Sequence, residues 1–446
     1  MSKELIREFN QLVAAHAREI HEVDEAVHAE LARRRVMYGG KVARTFLRPG
    51  LLTAAQMAQL QRSCAVLIGA VNTLLANAFG GSIEKMGAAT GIPAAELELT
   101  KVDPGYSLQV AINRMDAFVD GDNLRFLEFN CDSPAGIAYS DELAEVLRNT
   151  PFFKEFELRH SVRYLPACDA LLAAFQRIHR EWAPGRPLVV AIVDWKGVVT
   201  SAEFELIQAH FVRHGVPCFI ADPREAEYDG TTLSFAGEPV SLVYKRVIVS
   251  ELLARKDDVQ PLLRAYRERA ACFANSFRSR LADNKSVLAL LSNPEYTHFL
   301  SAEEQAVAAA TIPWTRRVAE GRTTVGDRTV ELAEYVRSHR ADLVMKPNSD
   351  YGGHNVFIGS ETAQGQWEEA LGTALAGDYV VQQRLSIPEE DYPVVTADGL
   401  TFEPRKVNIN PFALGGQYGG CISRLSTQSV INVAAGGGAV PVFVVE

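Results

Sequence analysis

The chain has 446 residues, 47% hydrophobic and 22% charged, with a net charge of −10 and a pI near 5.6. That length can bury the cores of two or three domains, and the composition is that of an ordinary globular protein. The acidic balance argues against a nucleic-acid or anionic-membrane partner, although a few local lysines and a magnesium ion could still neutralise a nucleotide.

Six scattered cysteines lack any C-x-x-C spacing, which argues against disulfides or a zinc site and fits a reducing cytoplasm. The opening "MSKELIREFNQLVAAHAREI" has no apolar signal core, and no apolar run reaches ~18 residues. Residues 3–35 read as one long helix or two abutting ones, either core or a homodimer contact. Their histidines, His16, His21 and His28, read as exposed helix positions rather than ligands. A second helix follows Thr53, where Thr53 and Gln56 form a capping-box pattern.

Strand patterns begin near residue 104, after an ordinary turn at Asp103 and Gly105. "YSLQVAINRMDAFV" and "LRFLEFN" flank the turn "DGDN". "RPLVVAIVDW", a helix from Thr200 capped by Glu203, and "VPCFIAD" form a β-α-β unit with a right-handed parallel crossover. Short strands follow in "DGTTLSFAGEPVSLVYKR", then helical pattern over 252–310 with a capping box from Ser301 to Glu304. "DLVMKPN", "YVVQQRL", "RKVNINPFA" and "AVPVFVVE" close the chain as strands. The class is α/β or mixed α+β.

Four segments carry chemistry. In "RMDAFVDGDNLRFLEFNCDSP", period-two alternation puts Arg114 and Asp116 on one face of the first strand and Glu128 and Asn130 on one face of the second. An odd loop, such as 121–123, would set Asp116 opposite Glu128 and Arg114 opposite Asn130, whereas a two-residue loop would break that register. Two carboxylates and a carboxamide suit magnesium, although a salt-bridged pair on a solvated sheet face is an equal reading. In "DLVMKPNSDYGGHNVFIG", Lys346 leaves a strand before Gly352 and Gly353, a phosphate clamp or a plain hairpin turn. Lys285 in "LADNKSVLALL" opens an amphipathic helix, useful to an anion or simply exposed. Gln382 and Gln383 end an apolar strand and offer an adenine an amide and a backbone edge, or mark only a strand end. Cys131 has no paired histidine and reads as a neighbour of the motif rather than a nucleophile.

Together these motifs resemble the circularly permuted ATP-grasp ligases of the glutathionylspermidine-synthetase and eukaryotic glutathione-synthetase type. The likeness covers residues 104–446, with the acidic strands preceding the lysines, the order of the permuted family. It implies an ATP-grasp fold with an inserted β-α-β substrate or lid domain and an N-terminal helical segment. The expected divisions are 1–100 (helical), 101–185 (metal-binding core), 186–255 (β-α-β) and 256–446 (nucleotide-binding core). It further implies that Asp116, Glu128 and Asn130 bind Mg2+, and that Arg114 holds the transferring phosphate. ATP would lie on Lys285, Lys346, Gly352, Gly353, Gln382, Gln383 and Leu385; Gln383 stands where the family commonly has glutamate.

By the same resemblance Arg424 is the catalytic arginine for a substrate carboxylate or acyl phosphate. Asp132 and Ser133 belong to the substrate site, and Gly436, Gly437 and Gly438 to a closing loop. The expected activity joins a small carboxylate to an amine, an amino acid, peptide or polyamine, at the expense of ATP and through an acyl phosphate. The alternatives are a phosphotransferase on the same fold and a silent nucleotide-binding protein. Asp194, Trp195 and Lys196, at a strand end, are further candidates for substrate contact.

Overall fold

The computed structural model describes residues 2–349, 355–431 and 437–446. Gly352, Gly353 and Gly436 lie outside the described residues. The amino-terminal pattern resolves into two helices, Ser2–Ala15 and Ile20–Arg33. The capping boxes at Thr53–Gln56 and Ser301–Glu304 both form.

A large sheet organises the molecule. Its strands run Gly50–Thr53, Gly438–Val445, Gln417–Ser426, Gly399–Leu414, Ile112–Asp120 and Asn123–Asn130, with Glu389–Thr396 and Val162–Arg163 pairing beside this path. All pairings are antiparallel except that of Gly438–Val445 with Gly50–Thr53. Strand alternation gives the sheet two apolar faces. Met115, Ala117, Ile409 and Leu425 join one core, together with helix Ala54–Thr73. Ile112, Phe412, Ile422 and Phe443 join the other, together with helices Ile137–Arg148 and Ala167–Trp182. Among the described residues no single helix is long and apolar enough to cross a membrane.

The β-α-β unit forms as its apolar strands require. Val190–Val193 pairs in parallel with Cys218–Ala221 across helix Ser201–Arg213, and Leu242–Lys245 and Cys272–Ala274 extend the sheet in the same sense. Glu203 does not cap that helix, because Thr200 makes no side-chain capping bond. Its carboxylate is fully buried and accepts from Gly136 N (2.8 Å) and Ala138 N (3.2 Å) instead, satisfying the first N–H groups of a neighbouring helix. A separate antiparallel sheet orders Thr315–Arg317, Tyr379–Gln383, Leu343–Pro347 and Phe357–Ile358.

Candidate functional site

The hairpin of Ile112–Asp120 and Asn123–Asn130 closes through a two-residue turn, Gly121–Asp122, with Asp120 opposite Asn123 and Gly121 at φ +60°. An odd loop is therefore absent. The expected partners nevertheless face each other, Asp116 opposite Glu128 and Arg114 opposite Asn130. The ladder steps from Ala117–Phe126 to Asp116–Glu128, leaving Leu127 as one extra residue. This β-bulge restores the register that the short turn would have lost.

The side of the sheet that carries these four residues forms one wall of a cleft of about 910 Å³. Arg114 Nε donates to Asp116 Oδ1 at 3.0 Å, and Arg424 Nη2 reaches the other Asp116 oxygen. Arg424 comes from strand Gln417–Ser426, and its Nη2 also donates to Asn408 Oδ1 and Asn410 Oδ1, both at 3.0 Å. Its Nε is buried and has no hydrogen-bond partner among the described residues. Asn130 Nδ2 donates to the Arg114 carbonyl at 3.2 Å, which fixes the amide plane.

The second sheet supplies the opposite wall. Lys346, near the end of Leu343–Pro347, donates to Gln382 Oε1 at 2.8 Å, and Gln382 Nε2 donates to Thr315 Oγ1 at 3.0 Å. Lys285 lies 3.4 Å from Glu128 Oε2. The helix it opens, Ser286–Leu291, is buried at every position rather than amphipathic. Burial acts to raise the Glu128 carboxyl, yet Lys285 and Lys346 hold it well below the usual carboxylate range. Burial pushes the Lys346 ammonium down to about 8; Glu128 opposes the shift and Lys285 adds to it. The two ammonium groups repel one another, and among the described residues Glu128 and then Asp116 offset that repulsion at Lys346. Gln383 and Leu385 line the cleft; the Gln383 side chain is exposed and its N–H is used by Trp314 O at 2.8 Å.

Asn348, which sequence reasoning passed over, locks the two lysine-bearing segments together. It is fully buried, and its carbonyl accepts from Lys285 N at 2.9 Å. Its Oδ1 accepts from Ser286 N and Ser286 Oγ, both at 2.8 Å, and its Nδ2 donates to Thr90 O (2.9 Å) and Asp378 Oδ2 (2.7 Å). Gly91 passes so close that a Cβ there would stand 2.6 Å from Asn348 Nδ2, and its φ of +73° is itself the left-handed helix terminus that glycine favours.

The far end of the cleft lies at the carboxyl ends of the parallel strands, where open α/β sheets present their ligand crevices. Asp132 and Ser133 line it, but both side chains are engaged. Asp132 forms an ion pair with Lys245, which is 1% exposed, and accepts from Val249 N at 2.9 Å; Ser133 Oγ donates to Arg246 O. They tie the acidic hairpin to the β-α-β unit. Burial works against the Asp132 carboxylate, but Lys245 and Arg280 hold it below its ordinary value. Asp194 lines the same end, and burial pushes it up to about 6 against the pull of Arg246. Trp195 is buried beneath it and Lys196 points outward to Glu225. All six cysteines are buried free thiols, Cys131 among them, and burial raises its pKa well above that of a reactive thiol.

No family model matches the chain. An uncharacterized protein of Synechocystis is 24% identical over a gapped alignment of 432 positions that spans 89% of this chain and 83% of that protein. A glutathione synthetase-like effector from Globodera pallida superposes with a TM-score of 0.64 at 9% identity, covering 96% of this chain and 97% of that one. A putative gamma-glutamylcysteine synthetase from Methylobacillus flagellatus gives a TM-score of 0.44 at 10% identity over 89% and 90% of the two chains. The overlay with the effector extends over nearly the whole of both molecules, so this chain has the glutathione-synthetase-like ATP-grasp fold.

Proposed function

We propose that the chain is an ATP- and magnesium-dependent ligase that joins a small carboxylate to an amine through an acyl phosphate, on the circularly permuted form of this fold. The observation that carries the reading is the facing of Asp116 and Glu128, across one strand pair, by Lys285 and Lys346 over a cleft large enough for a nucleotide and a substrate. The donor set fits a magnesium ion: two carboxylates and the amide oxygen of Asn130, whose nitrogen is anchored elsewhere, are the hard ligands it takes. Asp116, Glu128 and Asn130 would hold the metal, which would draw phosphate oxygens together and offset their charge.

Lys285 and Lys346 balance the charge of the nucleotide phosphates, and Gln382, Gln383 and Leu385 edge the base. A substrate carboxylate oxygen attacks the γ-phosphorus, the bond to the bridging oxygen breaks, and ADP leaves. Arg114 and Arg424 hold the transferring phosphate and the acyl oxygen, with the Arg424 Nε as a donor not committed to the protein. An amine nitrogen then attacks the acyl carbon, phosphate departs, and the nitrogen gives up a proton. Asp194, poised near 6, stands at the end of the cleft where that proton could be received. The protein's residues act by position and charge, and no side-chain nucleophile is required.

The test is ADP release with a panel of carboxylates and amines, with and without magnesium, comparing wild type with Glu128→Ala. The expected result is release that requires both an acid and an amine and falls at least ~100-fold in the variant. Release without an amine would make the protein a phosphotransferase. Equal release from Glu128→Ala, or none although ATP binds, would overturn the reading.

A further inference from the structure

On the outer side of the β-α-β unit, away from the cleft, His210, His214 and Asp169 come together. His210 and His214 are one turn apart near the end of helix Ser201–Arg213, with ring centroids 4.3 Å apart. Asp169 is in the first turn of helix Ala167–Trp182, and one ligand atom from each of the three residues lies within 4.8 Å of the others. None of these side chains serves the nucleotide cleft.

Their local bonding turns ring nitrogens toward the Asp169 carboxylate, with which His210 forms an ion pair. His214 Nδ1 lies 2.8 Å from the His210 carbonyl, which can only accept, so the proton of the neutral ring sits on Nδ1 and the Nε2 lone pair is left outward. A ring held through one nitrogen by a carbonyl, with the other nitrogen presented, is the arrangement that orients metal-binding histidines. His210 Nε2 is shielded from solvent and, among the described residues, makes no aligned hydrogen bond; its one close polar neighbour is Asp169 Oδ1, at the ion-pair distance of 3.0 Å. A buried ring nitrogen facing a carboxylate without hydrogen-bond alignment is a polar atom left over by the fold. Two ligands bound tetrahedrally at the usual zinc distances are about 3.3 Å apart, so a cation would need to part this 3.0 Å ion pair only slightly.

We propose that His210, His214 and Asp169 form a surface site for a zinc-class divalent cation, with water completing the coordination, which staples the helix of the β-α-β unit to helix Ala167–Trp182. Two imidazoles and one carboxylate favour zinc, copper(II) or nickel over magnesium and calcium, which take oxygen ligands. The expectation drawn from cysteine spacing does not bear on a site built without sulfur.

The experiment titrates chelator-stripped full-length protein with zinc in excess magnesium, following heat of binding and melting temperature. One zinc per chain is expected, with a rise in melting temperature. His214→Ala, an exposed position, should weaken binding roughly ten-fold or more and abolish the rise, as should Asp169→Ala. Glu128→Gln should leave zinc binding unchanged, which separates this site from the cleft. Absence of stoichiometric binding, or binding of undiminished strength in both His214→Ala and Asp169→Ala, would overturn the proposal.

Discussion

Replacing Asn348 with alanine removes four side-chain hydrogen bonds in one step, and their geometry sets the cost. The Ser286 N–H is buried and Asn348 Oδ1 is its partner, so truncation leaves an orphaned main-chain donor worth about 1–3 kcal/mol. The Ser286 hydroxyl can rotate to another acceptor. Thr90 O keeps a bond from Asn284 Nδ2 at 2.8 Å, and Asp378, 35% exposed, keeps Arg317 at 2.9 Å. Those groups add about 1 kcal/mol between them, for a total near 2–4 kcal/mol. Urea unfolding should show a lower midpoint at unchanged slope. In a double-mutant cycle with Ser286→Ala the coupling should be confined to the shared hydroxyl bond, about 1 kcal/mol or less, because the main-chain donor is orphaned only when Asn348 is replaced. ATP affinity should fall too, since the segment that positions Lys285 loses its side-chain bonds to the Lys346 strand and keeps only the main-chain bond from Lys285 N to residue 348 O. A loss below about 0.5 kcal/mol, the level of an indifferent surface change, would refute the account.

Lys346→Met should abolish ADP release yet raise stability at pH 7 by about 1–3 kcal/mol, because the folded protein holds a lysine that titrates near 8 instead of its ordinary 10.5. Between those two values the unfolded wild-type chain binds more protons, so wild-type stability should rise with pH through that window while the variant's stays flat; a destabilised Lys346→Met at pH 7 would contradict this. Asp132→Asn should cost about 3–5 kcal/mol by stranding the buried Lys245 ammonium, and Lys245→Met added to it should recover much of the loss, measured by chemical denaturation. The Asp132 contribution should persist at neutral pH and disappear only as the pH falls through its lowered folded value, below about pH 4.

The acidic hairpin was legible in the sequence because strand alternation is local. Arg114, Asp116, Glu128 and Asn130 show their shared face within 17 residues, and Lys346 reveals itself as a charge at the end of an apolar run. The expectation that a two-residue loop would break the register failed, since a bulge at Leu127 leaves no compositional mark. Glu203 was misread as a cap because it sits at the right spacing, whereas its real partners, Gly136 N, Ala138 N and Arg246, lie at least 43 positions away. Asn348 was invisible for the same reason; its acceptor and donor roles are satisfied by residues between 30 and 258 positions distant. Asn408 and Asn410 were findable, since amides at alternate positions of an apolar strand repeat the signal that singled out the acidic hairpin.

The position of strand Gly438–Val445 has a consequence for biosynthesis. All eight residues are buried, and they lie between Gly50–Thr53 and Gln417–Ser426. During translation the earlier strand therefore waits, with its apolar edge unpaired, until almost 400 further residues have been made. The helices and the β-α-β unit can condense meanwhile, but the sheet bearing Arg424 and Asp116 cannot close. A nascent or prematurely terminated chain thus has no assembled cleft, and its open edges make it a client for chaperones rather than a partially active protein.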